Sequence, residues 1–293
     1  MTSKKVRKHV NILGVRVNST TMDKVLRQVQ ANVLKNKKFY ITTPNPEHVM
    51  LAQTDEQFKD ILNSSDISIS DGIGLICASK FFALPRPKRF VLRLFVIMAQ
   101  GLGVGFAALF DREWLESELK LIKGREVFKQ LIKIGNKKKW NICLLGDNMR
   151  SAQKAAKELR SSYLKVKIHP LEGPNLNSDG KPGTASDKTI EKRVVDKINK
   201  LKPEIIFIGF GAPEQEKWLY RLYDNLDFTG AMVIGGTLDY MSGKKKTPPE
   251  WVDDLNLEWL WRLYKRDQSA ERVFKAFPRF ALRVFWKKLR VSK

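Results

Sequence analysis

The chemical group that stands out in this chain is the carboxylate of Asp71, which directly follows the apolar run 67–70. That run is typical of a short buried strand, and Gly72 behind it permits a sharp turn of the backbone. A carboxylate held at a strand end can act as a general base. The same position also suits a helix cap or a turn residue, so the residue types alone leave a structural role open.

A second strand end offers polar side chains earlier in the chain. The β-branched run 39–43 ends at Thr43 and leads through Pro44 to Asn45 and to a helix start at Glu47. Open α/β sheets bind their ligands beyond the carboxyl ends of the strands. We therefore expect Thr43, Asn45 and Asp71 to lie at one cleft.

Two glycine-rich turns follow later apolar runs. The segment 209–218 comes after the run 205–208 and opens a helix, and the segment 235–243 comes after the run 231–234. Glycines let a ligand approach the backbone, and the N–H groups of a helix start attract phosphate. Such turns also occur as plain architecture, but two at one sheet edge favour a shared diphosphate or nucleotide crevice. The expected contacts come from Gly209, Phe210, Gly211, Gln215, Gly236, Thr237 and Asp239.

Several other catalytic patterns are missing from the sequence. There is no Asp-x-Asp pair, and the three histidines are scattered, which argues against a metal site. There is also no Gly-x-Ser-x-Gly elbow and no Gly-x-x-x-x-Gly-Lys-Ser/Thr loop, so hydrolase and P-loop functions lose their main support. His48 and His169 are expected at the surface or satisfied in the core.

The elements that must position these groups alternate along the chain. Apolar runs that predict strands are followed by segments with helical periodicity, of which 47–62 is predicted as one long helix. This alternation predicts an α/β fold with a Rossmann-like, doubly wound, mainly parallel sheet over 1–246. The predicted strands are 11–17, 40–43, 66–70, 140–145, 164–169, 205–208 and 231–234.

The charge distribution points to a polyanionic partner. The formal net charge is +23, and a basic, aromatic tail at 271–293 ends a predicted helical appendage at 247–293. Phenylalanines interleaved with Lys and Arg are typical of a helix that lies on an anionic bilayer. A basic nucleic-acid-binding module remains an alternative explanation of the charge.

A hydrophobic insertion interrupts the predicted domain at about 90–118. Its centre, 94–110, carries no charged side chain. A hydrophobic hairpin or interfacial insertion, a buried core helix and a membrane span are all compatible with it. Cys77 and Cys143 lie in apolar runs and are expected to be reduced, and no secretory signal is visible, so we expect a cytoplasmic setting.

Six motifs, in this order, are similar to those of the WecG/TagA/CpsF glycosyltransferases over nearly the whole chain. Each motif is modest alone, but six in register are specific. They lie at 43–47, 71–74, 144–146, 209–218, 235–239 and 257–263.

The resemblance implies an inverting, metal-independent bacterial enzyme without a cofactor. It would move N-acetylmannosamine, or a related sugar, from a UDP-sugar to a GlcNAc-diphosphate-undecaprenol acceptor for cell-surface polysaccharide. The family's base falls on Asp71, and its active-site threonine and asparagine fall on Thr43 and Asn45. Substrate contacts are further expected from Gly72, Gly146 and Asp147.

Two departures from the family pattern concern cationic side chains. The arginine three residues before the glycine matched by Gly124 is replaced by Leu121, so Arg89 is expected to fill its role. In the tail, the family's Pro-x-Arg-x-x-Arg pattern is reduced, because Ser269 stands at its first arginine and Arg272 at its second. Contacts to the diphosphate are therefore expected from Arg272, Arg262 or Arg266.

The resemblance also predicts location and partners. We expect a peripheral protein on the cytoplasmic face of the cell membrane, in contact with its anionic surface, with possible homo-oligomers and without nucleic acid. An inactive relative that acts as a membrane scaffold is a further alternative, because of the altered arginines.

Overall fold

The computed structural model describes residues 9–147, 150–243, 249, 252, 261, 264 and 270–290, with only the backbone described at 270–277. Its centre is a six-stranded, entirely parallel sheet with strand order β4-β3-β8-β7-β5-β6. This confirms the predicted doubly wound α/β fold. The strands are β3 (Phe39–Thr42), β4 (Ile67–Ser68), β5 (Asn141–Gly146), β6 (Lys167–Glu172), β7 (Ile205–Gly209) and β8 (Gly230–Val233).

Helices cover both faces of this sheet, as parallel strands require. They are α1 (Met22–Leu34), α2 (Pro46–Leu51), α3 (Glu56–Ser64), α4 (Ile73–Ala83), α5 (Phe90–Phe110), α6 (Arg112–Leu115), α7 (Gly124–Lys138), α8 (Ser151–Ser162), α9 (Ala185–Leu201), α10 (Glu214–Leu222), α11 (Thr237–Met241) and α12 (Ala270–Arg290).

Alternation along the strands builds a core on each face of the sheet. In β5, Ile142 and Leu144 join one buried cluster with Phe128 of α7, whereas Cys143 and Leu145 join another with Trp218 of α10. Successive strand side chains point to opposite faces, so one apolar run serves both layers. Cys143 is therefore a buried core residue, and burial raises the pKa of its thiol above the usual range.

The N-terminal run 11–17 is not one strand, contrary to the prediction. It forms an antiparallel hairpin of β1 (His9–Ile12) and β2 (Val15–Asn18), outside the main sheet. Leu13 and Gly14, with φ of 52° and 93°, make the two-residue turn between them. A turn with positive φ at both positions matches the twist of paired strands, but leucine is an unusual residue for it.

The predicted long helix at 47–62 is also wrong in its extent. The structure divides it into α2 and α3, and Asp55 caps α3 by accepting a hydrogen bond from the Phe58 N–H at 2.9 Å. An aspartate three residues before a buried phenylalanine favours a new helix start. The break leaves α2 as a short helix beside Asn45.

A third cluster packs the hairpin against the predicted insertion and the basic tail. Phe280, Val284 and Leu289 of α12 are buried there with Ile97 and Val104 of α5. α5 is one uninterrupted helix of 21 residues, so the hairpin alternative is wrong. Most of its large apolar side chains are exposed, so it is not a buried core helix either.

Candidate active site

A cavity of about 310 Å³ lies at the carboxyl edge of the sheet. Its walls come from the ends of β3, β7 and β8, from Asp71 after β4, and from the start of α7. Eleven of the predicted site residues line it together: Thr43, Asn45, Asp71, Asp147, Gly209, Phe210, Gly211, Gln215, Gly236, Thr237 and Asp239.

Asp71 is held by the backbone on both sides. Its N–H donates to the Pro44 carbonyl at 3.0 Å, which ties the end of β4 to the loop after β3. The carbonyl of the preceding Ser70 accepts from the Ile122 N–H at 3.0 Å. Gly72 follows with φ of +121°, which permits the turn into α4. β4 ends at Ser68, earlier than the predicted strand 66–70, so the carboxylate lies three residues beyond the strand end, on backbone that these hydrogen bonds fix.

The start of α7 closes against Asp71 and Thr43. A Cβ added to Gly124 would lie 3.2 Å from Thr43 Cγ2 and 3.3 Å from Asp71 Oδ2, so a larger residue would crowd both groups. Lys123 and Arg125, on either side of this glycine, both line the cavity. The cleft thus receives two cationic side chains that the sequence analysis did not identify.

Arg89, which the sequence analysis placed in the leaving-group role, lies elsewhere. It is exposed at the start of α5 and is not part of the cavity lining. The chain leaves the cleft at Gly72, runs through α4 to α6, and returns at Ile122. The cations nearest Gly124 in sequence, rather than those before the insertion, are therefore the ones that return to the cleft.

Asn45 has a structural role in addition to its place in the lining. Its Oδ1 accepts a hydrogen bond from the His48 N–H at 2.9 Å, which caps α2. This bond fixes the orientation of the side-chain amide. His48 and Glu47 also line the cavity. The sequence analysis expected His48 at the surface or in the core and did not place it in the cleft.

Gln215 joins the two glycine-rich turns. Its Oε1 accepts from the Gly211 N–H at 3.3 Å and from the Gly235 N–H at 3.1 Å. Its Nε2 donates to Glu216 Oε1 at 2.9 Å, and both side chains are buried. Burial raises the pKa of Glu216 to about 8. The spacing of the two turns thus depends on one buried amide and its acidic neighbour.

Phe210 and Thr237 are also fixed by their surroundings. The Phe210 ring meets Trp218 edge to face, with centroids 5.6 Å apart, and a Cβ on Gly173 would fall 2.2 Å from Phe210 Cε1. The Thr237 hydroxyl donates to the Ile234 carbonyl at 2.7 Å. These contacts hold the two side chains at the cavity before any ligand binds.

The lining carries four carboxylates, those of Glu47, Asp71, Asp147 and Asp239, so an anion is favoured only near the helix starts and the two cationic side chains. α4, α7 and α10 all begin at this edge of the sheet, and the N-terminus of a helix carries a partial positive charge. Lys123 and Arg125 add two formal positive charges. Backbone N–H groups at helix starts bind phosphate groups in many proteins.

Gly72 and Gly146 are not part of the lining. Gly146 ends β5, and its carbonyl accepts from the Gly173 N–H at 2.8 Å. Arg262 and Arg266 lie outside the described residues, and only the backbone of Arg272 is described. Among the residues that the structure describes, no group of three or more His, Cys, Asp or Glu side chains is placed to hold a metal ion.

Comparison with known proteins assigns the chain to a family. The family model described as "Glycosyl transferase WecG/TagA/CpsF family" matches residues 10–97 and 88–293. A relative from Staphylococcus aureus (strain MW2) is 27% identical over 289 residues, which cover 97% of this chain and 95% of the relative. A relative from Bacillus subtilis (strain 168) is 28% identical over 244 residues, which cover 83% of this chain and 78% of the relative.

Both relatives carry the name N-acetylglucosaminyldiphosphoundecaprenol N-acetyl-beta-D-mannosaminyltransferase. The matched segments of the family model include every residue of the cavity lining.

Proposed function

Because the chain belongs to the WecG/TagA/CpsF family of glycosyl transferases, we propose that it transfers N-acetylmannosamine or a related sugar from a UDP-sugar. The acceptor in this proposal is GlcNAc-diphosphate-undecaprenol, and the product serves cell-surface polysaccharide synthesis. The names of the two relatives support this acceptor and this sugar. The observation that carries the proposal is the meeting of Asp71, Thr43 and both glycine-rich turns in one cavity.

The proposed reaction is a single inverting displacement. The acceptor hydroxyl oxygen forms a bond to the anomeric carbon while the bond from that carbon to the UDP oxygen breaks. Asp71 takes the proton of the attacking hydroxyl, which needs a carboxylate within hydrogen-bond reach. Thr43, beside it at the end of β3, is proposed to position the acceptor.

The departing UDP gains negative charge, which this site must stabilise. Lys123 and Arg125 are the proposed cationic partners, and the helix starts around the cleft add backbone N–H groups. The turns at Gly209–Gly211 and Gly235–Gly236 are proposed to hold the diphosphate, because their backbones can approach it closely. The proposed mechanism uses no metal ion, and this independence of metal remains a prediction.

The cellular setting is part of the same proposal. A polyprenyl-linked acceptor resides in the membrane, so we place the protein at the cytoplasmic face as a peripheral protein. The net charge of +23 supports contact with an anionic surface. Homo-oligomerisation stays a prediction.

The direct test is a transfer assay with purified protein. It uses a panel of UDP-sugars and a short-chain GlcNAc-diphosphate-lipid, with and without EDTA. We expect transfer from UDP-N-acetylmannosamine or a close analogue at an unchanged rate in EDTA. Absence of transfer with every donor, together with salt-sensitive micromolar binding to RNA or DNA, would instead support the nucleic-acid alternative.

A further inference from the structure

The outer face of α5 is apolar along its whole length. Large apolar side chains recur along this face at intervals of four, three, four, four and three residues, which places them on one side of the helix. Each is at least half exposed, and Leu102 reaches 78%. An apolar stripe of this length is unusual on a surface that contacts only water. The outer face consists of Val91, Phe95, Met98, Leu102, Phe106 and Leu109.

The opposite side of α5 packs on the protein. Ile97, Val104 and Ala107 are buried in the cluster that also contains Phe81 of α4 and Val284 of α12. By length and composition, α5 could cross a membrane, since 21 residues extend about 31 Å. Its buried stripe, however, holds it lengthwise against the domain. This arrangement fits a helix that lies in the membrane plane.

Cationic side chains flank the outer face at its N-terminal half. Lys88 and Arg89 are exposed just before α5. The neighbouring α12 carries a second exposed stripe, and Trp286, 49% exposed, lies within it as an aromatic side chain of the kind that favours the membrane–water interface. The stripe consists of Arg279, Arg283, Lys287 and Arg290.

Specific contacts fix α12 beside α5. The Lys288 ammonium donates to Gln100 Oε1 at 2.6 Å and also to the Phe81 carbonyl. Arg93 Nη1 donates to the Leu289 carbonyl at 3.3 Å. The helix that carries the cationic stripe is therefore packed beside the helix that carries the apolar outer face. At the other end of α5, exposed Asp111, Arg112 and Glu113 together carry a net charge of −1, so the positive side is the end near Lys88.

This surface is connected to the cavity through the chain. α5 belongs to the excursion that leaves the cleft at Gly72 and returns at Lys123. The Ile122 N–H donates to the Ser70 carbonyl at 3.0 Å, directly before Asp71. α4, the first helix of the excursion, has 11 residues and is about 16 Å long.

We propose that the outer face of α5 inserts into one leaflet of an anionic bilayer, with the helix axis in the membrane plane. The cations beside it contact the anionic headgroups, and the apolar side chains reach the acyl boundary. A second copy of this chain is a poorer occupant. The same cationic stripe would then face its own copy, and each copy carries a net charge of +23.

The first experiment is vesicle flotation of the full-length protein. Wild type should float with phosphatidylcholine/phosphatidylglycerol vesicles and bind pure phosphatidylcholine at least about tenfold more weakly. The variant Leu102→Glu with Phe106→Glu should lose at least about tenfold of its binding. The matched control is Leu34→Glu with Leu164→Glu, two leucines 88% and 85% exposed outside this surface, and it should bind as wild type. Equal loss in both variants, or in neither, would overturn the proposal.

The second experiment measures how deep three positions of α5 lie in the bilayer. Single cysteines at Val91, Met98 and Leu109, in a Cys77→Ala background that keeps buried Cys143, carry an environment-sensitive fluorophore. An in-plane helix predicts similar quenching at all three positions by a lipid with a shallow nitroxide. Strong quenching at Val91 and Leu109 with weak quenching at Met98 would show a spanning helix, whose ends lie at the two headgroup layers, and would contradict the proposal.

Sedimentation and activity separate the remaining outcomes. If the Leu102→Glu, Phe106→Glu variant changes an oligomer into a monomer while vesicle binding is kept, the face is an interface between copies and the proposal is wrong. The same variant should transfer sugar to a short-chain acceptor at the wild-type rate without vesicles, because the altered residues are outside the cavity. The flotation result stands by itself even if wild type shows no transfer.

Discussion

Nε2 of Gln215 lies 2.9 Å from Oε1 of Glu216, and both side chains are almost completely buried. Through this contact Glu216 fixes the amide whose oxygen accepts from the N–H groups of Gly211 and Gly235. The loops that follow β7 and β8 are thereby held at a fixed distance from each other. The proposed diphosphate site depends on this pair.

Replacing Gln215 by Met should weaken donor binding. The backbone N–H groups of Gly211 and Gly235 would lose their acceptor, and each such loss typically costs about 1–3 kcal/mol. We expect the KM for the UDP-sugar to rise about tenfold or more, with a smaller change in kcat. Steady-state kinetics would measure this, and circular dichroism would verify the fold. An unchanged KM would show that the spacing of the turns does not matter for the donor.

Replacing Glu216 by Gln should change how stability depends on pH. Burial raises the pKa of Glu216 from 4.5 to about 8, so the folded protein holds a proton that the unfolded chain releases. The stabilisation from this proton is complete below about pH 4.5 and is lost as the pH rises to about 8. The glutamine variant should match wild type at pH 4.5 and exceed it at pH 9 by about 2–4 kcal/mol.

Urea unfolding at pH 5, 7 and 9 would measure that difference. Glu158→Gln, on the exposed side of α8, is the matched control and should show no such trend. A constant difference between Glu216→Gln and wild type at all three values would contradict a protonated Glu216.

Lys123 and Arg125 should act on the leaving group. Removing one preorganised donor to a developing anion costs about 10²–10³ in kcat. We expect Lys123→Ala and Arg125→Ala each to lower kcat by about a hundredfold, whereas Lys133→Ala, exposed on the same helix, should not. In these variants, transfer from a donor with a poor leaving group should slow more than transfer from a donor with a good one. If both variants kept kcat, the cationic role would have to be assigned elsewhere.

The ion pair between Lys217 and Asp55 should stabilise the fold. Their N and O atoms lie 2.7 Å apart, the lysine side chain is 6% exposed, and the pair joins α10 to α3. Lys217→Met leaves the carboxylate without its partner and should cost about 3 kcal/mol. The double variant with Asp55→Asn, which removes the unpaired charge and keeps a side-chain cap for the Phe58 N–H, should recover much of that stability. Thermal unfolding measures both, and an additive loss would contradict this view of the pair.

Much of this fold was predictable because its strands are short apolar runs separated by helical periodicity. Both glycine-rich turns, Thr43 and Asp71 follow such strands, so their common edge could be inferred from a parallel sheet. The hairpin at the N-terminus was missed because Leu13 is not a typical turn residue. The break before α3 had a visible signal, the cap at Asp55.

The cationic residues of the cleft could not be placed from sequence. Their position depends on where the long excursion returns, and this is set by the hydrogen bond between Ile122 and Ser70, which are distant in sequence. The sequence also did not show which side of α5 packs on the protein. Large apolar side chains occur on both the packed and the exposed side of the helix, so their pattern does not distinguish the stripe packed around Val104 from the outer face.

The most direct test of the account is Asp71→Asn. The amide keeps the size of the side chain but cannot take the acceptor proton, and a general base contributes about 10²–10⁴ to the rate. We predict that transfer falls at least about a hundredfold, while calorimetry shows UDP-sugar binding within about threefold of wild type. Transfer at the wild-type rate in this variant would contradict the assignment of Asp71 as the base.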